Sequence, residues 1–357
     1  MKTYIKFLLN LFLNSFVKVF FLLSILIFII NIFEEIEFFK KFDVHFLFTL
    51  SLSLLNTPSI IFEIFPFIFL ITTQLFFIKL IDTNELKIFK YSGLKNIKIL
   101  TIISIFTFIL GFLIVTLFYN LSSQTKNYYL KIKNQYSDDN KYLAVITENG
   151  LWIKDEINSN INIINSSKID GIFLTDVSIV QFDNKNNFVR SIKSKKVDIS
   201  QNNWIIFEPS INENYKTKTI NSLTLNTNFN FKKINNLFSN LSALTIFELF
   251  DLKNSYKNLN YSNTDVVAHL YKIYSYPFYL TIITILSGIL MLNIKYQKNT
   301  IFKIILGIFI SVVIYYLNNF FNVLGSTEKI PLLMGIWLPL AILAIINSIF
   351  IIKINEK

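Results

Sequence analysis

Leu11-Phe-Leu-Asn-Ser-Phe-Val-Lys-Val-Phe-Phe-Leu-Leu-Ser-Ile-Leu-Ile-Phe-Ile-Ile-Asn-Ile-Phe33 is the stretch whose reading decides the fold. A helix needs roughly 20 apolar residues to cross a bilayer core about 30 Å thick. This run, broken by Asn14, Ser15, Lys18 and Ser24, is long enough. It is too long for the apolar core of a cleaved signal peptide, and no small-residue cleavage site precedes Glu34. It is therefore expected to stay in the protein as a span.

Five further runs follow at 60–78 (entered through Pro58), 99–118, 273–294, 304–324 and 331–352. One such run can be a buried core helix; six in a single chain leave that reading little room. Between 122 and 265 no run is long enough to cross. The expected fold class is a membrane α-helical protein with six transmembrane helices, three plus three, around an inserted domain. The expected boundaries are 1–121 for the first half, 122–265 for the insertion and 266–357 for the second half. Composition agrees, with 53% apolar and 16% charged residues. Soluble domains carry about a quarter charged residues.

The formal charge of +11 does not indicate nucleic acid by itself, because the basic residues are almost all Lys in a chain also rich in Asn, Phe, Leu and Ile. Lysine placement instead gives orientation. With the N-terminus inside, the inner short loops and ends hold Lys2, Lys6, Lys79, Lys87, Lys90, Lys95, Lys98, Lys295, Lys298, Lys303, Lys353 and Lys357. The outer short loops hold Lys40, Lys41 and Lys329, next to Glu34, Glu35, Glu37, Asp43 and Glu328. Both termini are expected inside and the inserted domain outside. Lys18 can snorkel to the inner edge, and Glu63 can reach the outer headgroup layer.

The insertion reads as β. Its apolar pattern has a period near two, with turn residues between short runs. Candidate strands are 142–147, 151–153, 161–164, 171–182, 188–199, 203–207 and 217–225. Asn149-Gly150 marks a hairpin, and 183–187 and 200–203 are turn clusters. Many short strands without helices between them suggest a sandwich or jellyroll. Helical connectors are expected at 122–135 and 244–259.

Catalytic machinery is hard to assemble from this chain. It has no Cys and two His, His45 and His269, far apart and both outside the β region. That argues against a His-rich metal site and a Ser, His and acid cluster. None of the eight Gly is followed by Lys, so there is no phosphate-binding loop of the ATPase type. Any ATP that drives this protein is expected to be hydrolysed elsewhere.

The inner loop between the second and third runs is the most informative one. Thr83 or Asn84 can cap a short helix, Glu85 suits its first turn, and Leu86, Phe89 and Lys90 fall at helical spacing. Gly93 is placed to end it. Such a helix can dock into a partner's groove or lie on the membrane surface as an ordinary loop helix.

Asn84-Glu-Leu-Lys-Ile-Phe-Lys-Tyr-Ser-Gly93 resembles the coupling helix of the lipopolysaccharide-export permeases, the LptF/LptG family. Gly150-Leu-Trp-Ile-Lys-Asp155 resembles the opening of that family's periplasmic β-jellyroll, in the form nearer the G paralogue. Pro58 and Pro66 match paired prolines of the second span, 244–259 resembles the connecting helix, and Lys272 and Pro277 fit the start of the fourth span. Residues 307–320, Ile330-Pro331 and Trp337-Leu-Pro339 fit the last two spans. The likeness covers the whole chain. It departs at Lys87, Ile88 and Phe89, where the family often has Ala or Arg, and at Leu332, where a second proline is common.

This resemblance implies a non-catalytic half-transporter in a bacterial inner membrane. It would pair with a paralogous LptF-like permease, a dimeric LptB-like cytoplasmic ATPase carrying the ATP and Mg, and a bitopic LptC-like protein. Lipopolysaccharide would enter a cavity between the permeases and be pushed into the β domains. On that reading Asn84, Glu85, Leu86, Phe89, Lys90 and Gly93 form the coupling helix. Lys40 and Lys41 are candidates for substrate phosphates. Phe20, Phe21, Ile308 and Val312 are candidates for the cavity wall, although they can equally face bilayer or protein. Gly150, Leu151, Trp152, Lys154 and Asp155 form the jellyroll motif. Two other readings remain, an ABC permease for another lipid or lipoprotein and a membrane scaffold or sensor with a β ectodomain. The first usually has a one-plus-three layout, and the second needs a cytoplasmic output domain larger than these inner loops.

Overall fold

A computed structural model describes residues 3–136, 151–157, 160–183, 187–213, 216–231, 234, 240–258, 263–293 and 300–355. Six of its helices are long and apolar enough to cross a membrane. They are α1 (Thr3–Phe39), α2 (Phe46–Asp82), a third formed by α4 (Asn96–Leu113) running into α5 (Tyr119–Asn134), α7 (Thr264–Asn293), α8 (Thr300–Ser326) and α9 (Leu332–Asn355). Short α3 (Glu85–Tyr91) lies between the second and third, and α6 (Ile246–Asn258) precedes α7. The chain divides into two compact units, residues 1–129 with 267–357, and residues 130–266.

In the helical unit, α2 and α7 are the most enclosed spans, and α1 and α8 the least. Lipid is as apolar as a leucine side chain, so packing and interhelical hydrogen bonds hold such a unit together. An aromatic cluster joins α1, α2 and α4: Phe12 meets Phe69, Phe76 and Phe106, and Phe16 and Phe20 stack beside Phe65 and Phe69. Polar tethers run between helices. Asn31 Nδ2 donates to Ser53 O at 3.3 Å, Ser287 Oγ to Leu70 O at 2.9 Å, and Asn347 Nδ2 to Ile282 O at 2.9 Å.

Helix boundaries differ from expectation in identifiable ways. Helix α2 begins at Phe46, well before Pro58, because the His45 side chain caps it by accepting from Leu47 N at 3.2 Å. Pro58 therefore lies inside the helix, not at its start. A proline is tolerated inside a span when neighbours satisfy the carbonyl it frees. The connector expected at 122–135 is no separate helix. It continues the third span through a π-helical turn at Ile114–Phe118, whose extra residue shifts the helix face. Tyr119 then sits against Phe62, with ring centroids 5.0 Å apart, and its hydroxyl lies 3.0 Å from His269 Nε2. Both His residues thus have structural partners.

Among the described residues the second unit holds eight antiparallel strands: β1 (Leu151–Ile157), β2 (Asn160–Asp170), β3 (Phe173–Phe182), β4 (Phe188–Asp198), β5 (Asn203–Phe207), β6 (Ser210–Glu213), β7 (Lys216–Thr219) and β8 (Ser222–Asn226). The run expected at 217–225 divides into β7 and β8, and β6 has no counterpart among the expected strands. Both are short hairpin pieces with little apolar alternation. Gly171, expected within a strand, adopts φ +54° in the turn before β3. The strand expected at 142–147 and the Asn149-Gly150 turn lie outside the described residues.

Pairing shows how one chain of strands makes a two-sided module. A row of isoleucines runs through Ile153, Ile164, Ile179, Ile192 and Ile211 on β1, β2, β3, β4 and β6. A second row runs through Ile169, Leu174, Val197, Ile206 and Leu223 on β2, β3, β4, β5 and β8. Between the rows the register skips Ser167, Asp176 and Lys195 together. Asp176 has φ +49°, and Glu208, between β5 and β6, has φ +44°. The register is the same on both sides of this line, so no strand gains a residue over its neighbour; the ladder is interrupted there, and on β3 and β4 the buried positions change parity across it. Ser194 Oγ spans this interruption by donating to Lys196 O at 2.9 Å. Trp204 is buried in the second half, its Nε1 donating to Phe229 O at 2.7 Å.

Helix α6 opens with a capping box. Thr245 N donates to Glu248 Oε2 at 3.1 Å, and Glu248 N donates to Thr245 Oγ1 at 3.4 Å.

Candidate functional site

Helix α3 is set by the chain ends around it. Thr83 Oγ1 donates to Lys79 O at 2.8 Å, so this hydroxyl closes α2 and does not open α3. Asn84 occupies the N-cap position in a left-handed conformation, φ +60°, without a side-chain cap hydrogen bond. The other end forms a Schellman motif: Gly93 N donates to Lys90 O at 3.0 Å and Leu94 N to Phe89 O at 2.9 Å. Gly93 adopts φ +78°, which glycine takes up without strain.

The helix has two faces with different roles. Leu86 is buried, and Phe89 packs on Phe7 of α1 with ring centroids 6.0 Å apart. These two residues anchor α3 to its own chain. The exposed face carries Lys87, Ile88, Lys90 and Tyr91, with Ile88 59% and Tyr91 90% exposed. Ile88 and Tyr91 were not singled out as sequence candidates. Their position one turn apart, opposite Leu86, was the available signal. Glu85 is half-buried, and its Oε2 is closed off without a hydrogen bond among the described residues.

Lys40 and Lys41 are exposed in the turn between α1 and α2. Of the acids expected to balance them, Glu35 is buried instead, and its Oε1 accepts from Tyr129 OH at 2.6 Å. That leaves Glu34, Glu37 and Asp43 as the exposed acids nearby. Asn31, also unanticipated, is buried one turn below Glu35. Besides its bond to Ser53, its Oδ1 accepts from Asn56 Nδ2 at 3.1 Å.

The four wall candidates separate. Phe21 is 59% exposed on α1, and Ile308 and Val312 are each 37% exposed on α8. Phe20 turns inward, between Phe65 and Phe118. Gly307 precedes Ile308 and permits a close approach to α2. A methyl group there would stand 1.9 Å from Gln74 Nε2.

In the strand module Leu151 and Asp155 are buried and Trp152 is 51% exposed, as the alternation of β1 requires. Asp155 accepts from Asn228 through Oδ1, at 2.8 Å from Nδ2, and through Oδ2, at 3.1 Å from the backbone N. Lys154 lies in β1, and Gly150 lies outside the described residues. Among the described residues no group of three His, Cys, Asp or Glu is placed to hold a metal ion.

The family model described as lipopolysaccharide export system permease LptF/LptG matches residues 6–353. No curated protein matches the chain.

Proposed function

The chain belongs to the LptF/LptG family of lipopolysaccharide export permeases, multi-pass proteins of the inner membrane, and on that premise we propose that it is one membrane half of an ABC transporter driven by a separate ATPase. Lipopolysaccharide enters sideways from the outer leaflet, and ATP binding on the partner closes the cavity and moves the lipid towards the strand module. That module is the periplasmic start of a bridge, joined there by an LptC-like bitopic protein. Both termini are cytoplasmic. The Gly150–Asp155 segment favours the G paralogue, so the second permease is LptF-like.

The observation that carries this reading is α3. It is a short helix fixed by Leu86 and Phe89 between the second and third spans, with an exposed face left for another protein. A rigidly held helix transmits the displacement of a motor, because packed side chains convey strain. The chain contributes no ATP chemistry of its own; ATP and Mg sit on the LptB-like dimer. Glu85 and Lys90 orient the docked helix, and Ile88 and Tyr91 fill the ATPase groove.

Two weakly enclosed helices, α1 and α8, supply the cavity face. Phe21, Ile308 and Val312 offer apolar contact to acyl chains, while Lys40 and Lys41 stand where lipid A phosphates pass. The two aliphatic rows of the strand module receive acyl chains.

The test is Glu85→Lys in the assembled transporter. Copurification with the ATPase is expected to weaken, or ATP hydrolysis to continue without export. Unchanged assembly together with unchanged export overturns the assignment of α3.

A further inference from the structure

At one end of the strand module the isoleucine row gives way to a row of polar groups on the same face. Cross-strand pairing aligns Asp155, Asn162, Gln181 and Arg190 on β1, β2, β3 and β4. Each is two residues from an isoleucine of the buried row: Ile153, Ile164, Ile179 and Ile192. Successive same-face residues stand roughly 7 Å apart along a strand. The polar row therefore borders the apolar one directly.

The row is connected from end to end. Asn228 holds Asp155, Gln181 Nε2 donates to Asn162 Oδ1 at 2.6 Å, and Arg190 Nε donates to Gln181 Oε1. Asn162 and Gln181 are buried, and Arg190 is half-buried at the end of the row. The Nε bond fixes the plane of the guanidinium and leaves its two terminal nitrogens, Nη1 and Nη2, without an acceptor among the described residues. Asp155 is three strands away and already accepts two hydrogen bonds from Asn228. Continuing the β4–β6 register places exposed Glu213 beside Arg190, two residues from Ile211, and among the described residues no ion pair joins them.

Residue choice adds a second, independent point. The chain contains 34 Lys and Arg, and Arg190 is its only Arg. A chain that otherwise uses Lys for positive charge has here the one side chain with a planar fork of donors. That fork matches the paired oxygens of phosphate, which an ammonium meets only as a point charge.

We propose that Arg190, held by Gln181 at the border of the isoleucine row, binds a phosphate group of an amphiphilic ligand carried by the strand module. This inference rests on the export reading above and assigns the module a headgroup contact besides its apolar interior.

The experiment uses the full chain in lipid nanodiscs with 15N-labelled arginine. Because the chain has a single Arg, the guanidinium region holds one residue's signals. Lipid A with its phosphates, the same lipid after their enzymatic removal, and inorganic phosphate are titrated separately. The Arg190 signals are expected to move and saturate with phosphorylated lipid A and to stay in place with the dephosphorylated form. Gln181→Leu, which releases the fork, is expected to raise the half-saturating concentration about tenfold. Equal saturation by inorganic phosphate overturns the amphiphile assignment. Unmoved signals while phosphorylated lipid A is bound to the chain overturn the role of Arg190 and leave the export reading standing. Absence of any lipid A binding overturns both.

Discussion

The hydroxyl of Tyr276 on α7 donates to the main-chain carbonyl of Phe62 on α2. That carbonyl is the one Pro66 leaves without a helical donor, since proline has no N–H to offer four residues on. Phe62 and Tyr276 also stack, with ring centroids 4.6 Å apart. A break in the central helix of the first half is thus completed by a residue of the second half.

A double-mutant cycle tests this relationship. Tyr276→Phe keeps the stacked ring and removes the donor, and is expected to cost about 1–2 kcal/mol in detergent unfolding. Pro66→Ala restores an N–H to the helix, so Tyr276→Phe in that background should cost much less. Equal costs in both backgrounds would show that the hydroxyl serves something other than the proline gap.

A contact between α8 and α2 gives a second prediction. Gly307 faces Gln74, which is fully buried, and a Cβ would come 1.9 Å from its Nε2. Gly307→Ala must push aside the end of this buried side chain, at about 1–3 kcal/mol. Combining it with Gln74→Ala should recover part of that loss. Thermal unfolding of the two single variants and the double variant measures the coupling, and simple additivity would contradict the steric account.

Much of the architecture was legible because bilayer thickness demands long apolar runs, which the chain displays at 11–33 and in five later places. Helix ends were less legible. The apolar count for the second span begins near residue 60, but the His45 cap starts the helix at Phe46, and capping depends on one side chain, not on average hydropathy. Strands with regular alternation were readable, and β5 was expected with its observed limits. The Lys216–Thr219 strand, exposed throughout, offers no apolar rhythm to read. On α3, helical spacing singled out Leu86 and Phe89 as candidates for docking on a partner, whereas Leu86 is buried and Phe89 packs on Phe7 of the same chain. The outward pair Ile88 and Tyr91 became evident only when the anchored side was known. Asn31, Glu35 and Gln74 were inconspicuous because a polar residue in an apolar run does not announce its partner on another helix.

The Tyr129–Glu35 hydrogen bond leads to a third prediction. At 2.6 Å it is a short bond to a buried carboxyl group, and it ties the end of α1 to α5. Tyr129→Phe removes the donor and is expected to lower stability by about 1.5–3 kcal/mol. The neighbouring turn with Lys40 and Lys41 should then exchange its amide hydrogens faster. Unaltered exchange in residues 36–42 would mean that the bond does not order that turn.

The two faces of α3 should fail in different ways, which separates a structural defect from a docking defect. Ile88→Asp and Tyr91→Ala change exposed side chains, so the isolated chain should unfold at its normal temperature while ATPase copurification falls at least about tenfold, as for a central interface anchor. Gly93→Val instead forces a branched side chain into φ +78° and undoes the Schellman end of the helix, costing about 1 kcal/mol or more. Gly93→Asn, whose side chain tolerates the left-handed region, should retain most of the function that Gly93→Val loses. Hydrogen exchange across 85–91, read beside ATPase binding, distinguishes the two classes. Outward variants leave the exchange unchanged and lose the partner, whereas Gly93→Val loosens the helix first. If Ile88→Asp and Tyr91→Ala kept full ATPase binding, the exposed face of α3 would not be where the motor engages, and the coupling surface would have to be sought elsewhere on the inner loops.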